Sequence, residues 1–393
     1  GSLWVGTFHG GLNRLRDTPF TTIDQTTGLP TDHVRAVYRA RDGALWVACD
    51  SEGLVRVRDG EIRQWTTADG LPGATVHTLC EGPDGAIWFG TDRGVGRLHD
   101  GLITVRDTRD GLAHDVIRAL HVDAAGTVWV GTKGGGVSWI QGDEIVNHDE
   151  RDGLPGGIVR WFTEDASGDI WLATETGVVR WDGARFVPVA PGQGLEACYV
   201  MNVHVDADGV VWFGTYGNGL ARLADGQVDI LDTDDGLVEN TVYAVAEDAS
   251  GRIWLPCNRG IFGVAKSDLA RYLRGELERL RPLSLGPRQG FPGTECNGGS
   301  QPSTWNDADG RIAFATNAGV VFFDPAQMAA CAEPPRPVIE RVVADRREYQ
   351  GEALTQVPPG RRDLEFQYTG LQFHDPAGIS FRYRLDGYED TWV

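Results

Sequence analysis

The 393-residue chain has little positive charge and no long apolar segment. Its 36 lysines and arginines stand against 56 aspartates and glutamates, which gives a formal net charge of -20. This excess argues against nucleic acid or an anionic membrane surface as a partner, because both favour basic proteins. No signal peptide and no apolar run of membrane-spanning length is present in the sequence. Its first and last residues fall inside recognisable structural units, so we expect a fragment of a longer protein.

Motifs for metal and redox chemistry are also missing. The six cysteines form no Cys-x-x-Cys pair, and the nine histidines form no His-x-His or His-x-x-x-His pair. Zinc sites and dithiol centres are recognised by such spacings. We therefore expect no metal, no cofactor and no catalytic activity in this chain.

What the chain does contain is one unit repeated many times. Residues 84–97 read DGAIWFGTDRGVGR, which is an Asp-Gly turn, a strand with a tryptophan, a second turn and another strand. The tryptophans at this position of successive units are 41 or 42 residues apart, and an eighth copy has Ala313 there. A fixed period of this length is typical of propellers and solenoids. The repeated tryptophans are Trp4, Trp46, Trp88, Trp129, Trp171, Trp212 and Trp254.

Each repeat can be divided into four short strands, named A to D. In one copy the strands are expected at 76–81, 86–91, 95–98 and 103–106, because apolar and polar residues alternate there between Gly and Asp turns. Four antiparallel strands per repeat predict an all-β fold, a β-propeller of four-stranded blades. Seven blades are expected if residues 1–25 only complete the ring or belong to a preceding one. Eight would follow if that segment were a blade of its own, and we favour seven.

The repeated tryptophans and aspartates have structural explanations. A large aromatic residue in strand B of each blade fills the space between neighbouring sheets. The aspartates sit in the A–B turn, where Asp accepts bonds from its own backbone. One carboxylate per blade does not make the oxygen cluster that calcium needs. These aspartates are Asp42, Asp84, Asp123, Asp165, Asp206 and Asp248.

The pattern changes twice near the end of the chain. Trp254 and Ala313 are 59 residues apart, about 17 more than the period, and the leucine spacing predicts a helical insertion at 266–289. The propeller is then expected to cover 1–325 and a linker 326–337. Residues 338–393 alternate as strands without the blade motif, which predicts a partial Ig-like β-sandwich that stops before it closes.

One face of the propeller is the candidate binding site. The D–A connections and the B–C hairpins share a face, and their residues vary, whereas the A–B and C–D turns are uniform. One position after its first apolar residue, each innermost strand carries Arg35, His77, Arg118, Arg160, Met201 or Tyr243. If this column lines the channel, it forms a positive throat in an acidic protein, suited to carboxylates because guanidinium groups bind them bidentately. The alternative is that these arginines pair with aspartates of neighbouring blades. Rim residues suited to sugars are His33, His114, Tyr199, Tyr216, Asn218, Asn240 and Asn297.

The repeat as a whole resembles the two-component regulator propeller repeat. Its pattern runs from Gly28-Leu29-Pro30 through Asp42-Gly43 and Trp46 to Arg56. The segment FRYRLDGYEDTW at 381–392 resembles the start of the three-tyrosine domain that follows such propellers. The resemblance therefore covers the whole chain.

The resemblance implies the periplasmic sensor region of an inner-membrane receptor. Such regions precede a transmembrane helix and a histidine kinase or diguanylate cyclase, both absent from this chain. The implied ligand is a small molecule or an oligosaccharide, and the full-length receptor is expected to be a homodimer. Two alternatives stay open. One is a propeller lyase or hydrolase acting on a glycan or lactone, and the other is a scaffold for protein–protein interaction.

Overall fold

The computed structural model describes residues 2–7, 11–16, 18–293, 295–329, 337–349 and 364–370, with the single residues 381, 383, 384 and 387. The chain divides into two units. One is Pro19–Pro325, and the other combines Gly1–Thr18 with Ala326–Val393.

The strands follow one another along the chain in groups of four. Before the first group come β1 (Ser2–Thr7), β2 (Gly11–Arg16) and β3 (Phe20–Ile23). Blade one contains β4 (Val34–Arg39), β5 (Leu45–Cys49), β6 (Gly53–Arg58) and β7 (Glu61–Trp65). Blade two contains β8 (Val76–Glu81), β9 (Ile87–Thr91), β10 (Gly94–His99) and β11 (Leu102–Arg106). Blade three contains β12 (Ile117–Val122), β13 (Val128–Thr132), β14 (Val137–Gln141) and β15 (Glu144–His148).

The later blades continue the same order. Blade four contains β16 (Val159–Glu164), β17 (Ile170–Thr174), β18 (Gly177–Trp181) and β19 (Phe186–Pro188). Blade five contains β20 (Val200–Val205), β21 (Val211–Thr215), β22 (Leu220–Ala224) and β23 (Gln227–Leu231). Blade six contains β24 (Ala246–Glu247), β25 (Arg252–Cys257), β26 (Gly260–Ala265), the helix α1 (Lys266–Leu273) and β27 (Leu283–Leu285). Blade seven contains β28 (Thr304–Asn306), β29 (Ile312–Thr316) and β30 (Gly319–Phe323).

The ring closes by joining the two ends of the Pro19–Pro325 unit. Strand β3 pairs with β30, from Phe20 against Phe323 to Ile23 against Val320, and so supplies the outermost strand of blade seven. The described residues thus form seven four-stranded sheets, which confirms the favoured blade count. The boundary at residue 1 differs from the structure: the propeller begins at Pro19, because β1 and β2 pair with each other in a separate two-stranded sheet.

The aspartate of the A–B turn also fastens the strand-B tryptophan. In blade six, Asp248 accepts backbone N–H bonds from Ser250 and Arg252 through Oδ1, and Oδ2 accepts the indole N–H of Trp254 at 2.7 Å. Blades three, four and five repeat this indole bond with Asp123, Asp165 and Asp206. The prediction that these aspartates make turn bonds is confirmed, and the indole bond adds a second structural role.

Apolar residues from two neighbouring sheets fill each seam between blades. Trp46 of blade one packs with Leu79, Ile87 and Leu98 of blade two. Trp129 and Trp212 likewise pack against the blade that follows their own in sequence. An arginine of strand C commonly lies over the tryptophan, as Arg56 does over Trp46 at 5.8 Å. Each D–A connection contains a Gly-Leu or Gly-Phe pair whose leucine or phenylalanine is buried. These residues are Leu29, Leu71, Leu112, Leu154, Leu195, Leu237 and Phe291.

The predicted insertion is only partly helical. Helix α1 ends at Leu273, and the rest of the segment includes β27, the outermost strand of blade six. Leu269 and Leu280 are buried in the cluster shared by blades five and six. The insertion therefore lies between strands C and D of one blade and packs against the side of the ring.

The second unit is described only in part. The predicted linker begins with a helix, α2 (Pro325–Ala329), so it is not wholly irregular there. Strands β31 (Pro337–Ala344), β32 (Arg347–Tyr349) and β33 (Leu364–Gly370) form a three-stranded antiparallel sheet in the order β32-β31-β33. The segment 381–392 lies largely outside the described residues, so the β-sandwich and the three-tyrosine domain stay predictions.

We expect loss of the Asp248 carboxylate to destabilise the propeller. Burial raises the pKa of Asp248, but bonds from Ser250, Trp254 and Arg252 outweigh it, so the pKa lies below its ordinary value. Its stabilisation is therefore present above about pH 4 and is lost as pH falls through the lower pKa of the folded state. Asp248→Asn should cost about 1–3 kcal/mol of unfolding free energy at pH 7, because the amide nitrogen cannot accept the indole bond.

Urea denaturation of both proteins at pH 7 and pH 3.5 checks this expectation. The difference between them should shrink at the lower pH. Asp143→Asn is the control, since that side chain is 99% exposed and pairs with Arg106 at the surface. Equal destabilisation by the two substitutions would contradict the proposed role of the turn aspartate.

Candidate functional site

A β-bulge marks the start of five innermost strands. In β4 the pairing with β5 passes from Val34–Cys49 to Ala36–Ala48, so Arg35 is the extra residue. The same shift isolates the equivalent residue in the next four blades, and a bulge re-aims the side chain of its extra residue. These residues are His77, Arg118, Arg160 and Met201. The column predicted from the sequence is thus a column of bulge residues on one rim of the channel.

The three arginines of this column have different partners. Arg35 donates to Asp50 at 2.9 Å, a residue of the B–C hairpin of its own blade. Arg160 donates through Nε to the hydroxyl of Tyr199 at 2.8 Å, and Arg118 contacts Nδ1 of His77 at 3.3 Å. Within the part of the chain that the structure describes, neither Arg118 nor Arg160 forms an ion pair. Pairing with an aspartate of a neighbouring blade, the alternative prediction, is therefore not observed for these three.

Like charges are held close together at this rim. Burial, followed by the charges of Arg160 and Arg35, lowers the pKa of Arg118 to about 10. Burial, followed by Arg118 and Arg35, lowers the pKa of His77 to about 3, although Asp50 acts in the opposite direction. His77 is therefore neutral at pH 7, and its Nδ1 can accept from Arg118. The cluster carries three guanidinium charges and one paired carboxylate.

A segment of blade seven crosses the channel below this rim. We call residues 297–303 the plug. The carbonyls of Gln301 and Pro302 accept from Leu79 and Val37, whose amides lie on the innermost strands of blades two and one. The Gln301 side chain bonds to both backbone groups of Phe162 in blade four, at 2.7 and 3.2 Å. A seven-residue segment that reaches blades one, two and four must span the channel.

The plug also approaches the candidate site directly. The Gly299 carbonyl accepts from Nη1 of Arg160 at 3.3 Å. Gly298 lies so close to the ring of Tyr243 that a Cβ would stand 1.9 Å from it, so only glycine fits there. Some buried polar atoms have no hydrogen-bond partner among the described residues. They are the hydroxyl oxygens of Ser300 and Ser303 in the plug, that of Thr78, which forms a bridge with Gln301, and Nε of Arg118. Such groups are expected to bind ordered water or ligand, because leaving them unpaired is costly.

The predicted rim residues fall into two groups. Tyr199 and Tyr216 lie edge to face at 6.1 Å, and Tyr216 is 60% exposed, so this pair presents an aromatic surface beside Arg160. His33 and Asn218 are exposed, whereas His114 is half-buried and its Nδ1 accepts the amide of Val116.

Three further residues have mainly structural contacts. Tyr243 is only 9% exposed and donates to Asn258 at 2.6 Å. Asn240 accepts the amide of Thr233, and Asn297 donates to the Val34 carbonyl.

Sequence reasoning missed Asp50 and the plug. A signal for the plug existed: Phe291 and Asp307 are 16 residues apart, whereas Leu237 and Asp248, the equivalent pair in blade six, are 11 apart.

The described ranges offer neither a metal centre nor a membrane-spanning helix. No group of three or more histidine, cysteine, aspartate or glutamate residues there could hold a metal ion. Among the described helices, none combines the length and the apolarity that crossing a bilayer requires.

Four segments of the chain match the family model of the two-component regulator propeller. They are residues 28–51, 70–93, 111–134 and 153–176. The chain therefore contains two-component regulator propeller repeats, as its sequence pattern predicted. No curated protein sequence matches the chain.

Solved structures show the same fold at low sequence identity. The extracellular domain of the hybrid two-component system BT3049 from B. thetaiotaomicron is similar to the whole chain, with a TM-score of 0.72 and 19% identity. That of BT4673 from the same organism gives 0.62 and 15%. The chain spans about half of these two domains, 54% and 56%. Virginiamycin B lyase from Staphylococcus aureus matches 77% of this chain and 98% of its own, with a TM-score of 0.60 and 16% identity.

The buried neutral His77 should make the protein less stable in mild acid. Its pKa is depressed on folding, so its contribution is complete above pH 6.5 and falls as pH drops from there towards 3. We expect His77→Gln, which keeps an acceptor for Arg118, to remove about 2 kcal/mol of the stability difference between pH 8 and pH 5.

The measurement is urea unfolding at a series of pH values. His121 and His204, whose pKa values burial also lowers, contribute the same background in both proteins. Parallel stability curves for the two proteins would contradict this expectation, because they would show that the pKa of His77 does not change on folding.

Proposed function

We propose that this chain is a non-catalytic, ligand-sensing region of a bacterial signal-transduction receptor. It binds an acidic oligosaccharide at the face formed by the D–A connections and B–C hairpins. The single observation that carries this proposal is the cluster of Arg118 and Arg160 at one rim, without a carboxylate partner among the described residues.

The charge balance of the rim supports an anionic ligand. Folding brings Arg35, Arg118 and Arg160 together and lowers the pKa of Arg118, so the guanidinium charge is disfavoured there. A carboxylate bound between Arg118 and Arg160 would relieve this repulsion and accept charge-assisted bonds. The surrounding protein has a net charge of -20, which would repel anions elsewhere on its surface.

The neighbouring groups suit a saccharide. Tyr199 and Tyr216 provide an aromatic surface for the apolar face of a sugar ring, and exposed Asn218 and His33 can bond hydroxyl groups. The plug blocks the channel beneath them, so a ligand would enter and leave from one side. Loops on a rigid ring are suited to such recognition, because the scaffold keeps their ends in place.

The receptor context rests on similarity of repeats and fold. Extracellular domains of hybrid two-component systems share the propeller. We accordingly infer a periplasmic location, a membrane anchor and a kinase or cyclase output outside this chain, with homodimerisation of the full-length receptor.

Matched acidic and neutral ligands test the binding proposal. Digalacturonate should raise the melting temperature of the protein by mass action, whereas its dimethyl ester should not. Arg118→Ala or Arg160→Ala should remove about 1.5–3 kcal/mol of binding free energy, which corresponds to about a ten- to hundred-fold weaker Kd by calorimetry. Arg106→Ala is the control, because that arginine lies on the outermost strand β11 and pairs with Asp143.

Three results would count against the proposal. Equal shifts with the ester would remove the carboxylate from recognition. Cleavage or elimination of the sugar, with or without divalent metal, would favour the lyase or hydrolase alternative. Failure to bind any acidic saccharide, together with stable binding of a protein at this face, would favour the scaffold.

A further inference from the structure

The innermost strands of blades six and seven are the shortest in the ring. Strand β24 has two residues and β28 has three, whereas each innermost strand of blades one to five has six. Pro256 of β25, which lies beside β24, has no backbone N–H to donate. Fewer ladder hydrogen bonds therefore hold these two innermost strands than hold the others.

Two cysteines meet at the junction of these blades. Cys257 ends β25, at the position that is threonine in blades two to five and seven. Cys296 pairs with Thr316 in blade seven as Val76 pairs with Thr91 in blade two, and this position is valine or isoleucine in blades one to six. Of the seven junctions in the ring, this one alone has cysteine at both positions.

The backbones of the two cysteines are in direct contact. The amide of Cys296 donates to the carbonyl of Cys257 at 3.1 Å, as that of Val242 donates to Thr215 at the preceding junction. Standard backbone dimensions then hold the two Cα atoms within about 7 Å of each other, which is the limit for a disulfide bridge. Both side chains are buried, with 1% exposure.

The position of Cys257 normally holds a hydroxyl that makes two bonds within its own B–C hairpin. In blade two, the hydroxyl of Thr91 accepts the amide of Arg93 and donates to the carbonyl of Gly94, both at 3.0 Å. The threonines of blades four and seven make the same two bonds. One oxygen atom therefore bridges the two hairpin groups in those blades.

In blade six the same two bonds are divided between two sulfur atoms. Sγ of Cys257 accepts the amide of Arg259 at 3.4 Å, and Sγ of Cys296 donates to the carbonyl of Gly260 at 3.5 Å. These hairpin groups are the equivalents of those that one hydroxyl bridges in blades two, four and seven. The two sulfurs are therefore neighbours on one hairpin.

Both thiols are free in the structure, and their surroundings keep them protonated. Burial raises the pKa of Cys257 to about 11. Burial, followed by the neighbouring Cys257, raises the pKa of Cys296 well above its ordinary value. Since the thiolate is the reactive form, oxidation is expected during folding, while solvent still reaches both sulfurs.

We propose that Cys257 and Cys296 form a disulfide that fastens the base of the plug to blade six. Cys296 immediately precedes the plug, so the bond holds the residue from which the plug starts. Each thiol loses its hydrogen as the Sγ–Sγ bond forms, and the two electrons and two protons reduce a disulfide oxidant, such as oxidised glutathione, to two thiols. Formation in the cell rests on the periplasmic location proposed above, because that compartment is oxidising.

The disulfide would stabilise the ring through the unfolded chain. It closes a loop of about 40 residues, which contains β26, helix α1 and β27. Closing a loop of this length restricts the unfolded chain and so favours the folded state.

Refolding of the full chain in a mixture of reduced and oxidised glutathione tests the disulfide. Peptide mapping by mass spectrometry without reductant should recover Cys257 and Cys296 as one linked pair, whereas Cys49 should stay free for alkylation. The oxidised protein should melt about 5 °C or more above protein that was refolded in dithiothreitol.

Matched variants carry the residues that other blades have at these positions. Cys257→Thr and Cys296→Val introduce the side chains that blade two has as Thr91 and Val76, so each variant should fold. Their melting temperatures should be the same with and without dithiothreitol. Cys49→Thr changes the equivalent residue of blade one, where no second cysteine is adjacent in the repeat, and should keep the full difference.

Recovery of Cys257 and Cys296 as separately alkylated thiols from folded, oxidised protein would overturn the proposal. A linked pair without a higher melting temperature would contradict its stabilising role, as would an undiminished difference in folded Cys257→Thr or Cys296→Val protein. Neither readout involves a ligand, so the absence of the disulfide and the absence of saccharide binding are separate results.

Discussion

Closure of the ring by β3 and β30 is the constraint on which the rest of the structure depends. Once Phe20–Ile23 pairs with Val320–Phe323, seven sheets share one axis and their innermost strands face one channel. Residues about 42 positions apart in sequence then become neighbours at the rim. Arg118 and Arg160 are brought together in this way, although a single isolated blade would keep its arginine in solvent.

Ring closure also places the rim arginines and several backbone groups of the innermost strands at the channel, where they need hydrogen-bond partners. The plug meets part of this need, because its carbonyls accept the amides of Val37 and Leu79 and its Gln301 side chain bonds to Phe162. It supplies no anion, since Gly299 offers Arg160 only a carbonyl. The positive charge of the rim therefore stays uncompensated by carboxylates of the described residues, apart from Asp50 beside Arg35. Uncompensated charge that folding maintains at a cost is a common feature of binding sites.

The rim and the seam between blades seven and one are two places where the ring departs from simple repetition. At the rim, four of the five bulge residues of the innermost strands are polar, and the bulges re-aim their side chains. In the seam between blades seven and one, Ala313 stands where a tryptophan recurs in other blades, and Trp305 of β28 and Phe322 pack there instead. In six seams a strand-B tryptophan is repeated at the same position. The seventh seam, between blades seven and one, lies where the two ends of the ring meet and contains a different set of residues.

Features that recur from blade to blade could be predicted from the sequence, whereas contacts that occur at only one place in the ring could not. The tryptophan period predicts the blades, because each copy forms the same hairpins and fills the same seam. It also predicts the column of Arg35, His77, Arg118 and Arg160, since the bulge recurs at one place in the repeat. The partner of Arg35 was not predictable from the period, because Asp50 belongs to the variable B–C hairpin of the same blade.

The plug was missed for a related reason. The leucine spacing places all 17 extra residues near the end of the propeller in a helical insertion at 266–289. In the structure the D–A connection of blade seven holds five of them, seen in the spacing of Phe291 and Asp307. Glycines 298 and 299 suggest an exposed loop when read locally, but the approach of Gly298 to Tyr243 shows that they permit close packing inside the channel.

The most direct test of the central claim is the unfolding free energy of Arg118→Met in dilute, ligand-free buffer. Methionine keeps the apolar stem of the side chain but removes the charge that Arg160 and Arg35 oppose. If the rim is held ready for an anion, the variant should be as stable as the wild-type protein or more stable, and added sulfate should stabilise the wild-type protein alone. A loss of more than about 2 kcal/mol, unaffected by sulfate, would show that Arg118 serves the fold and would contradict the account.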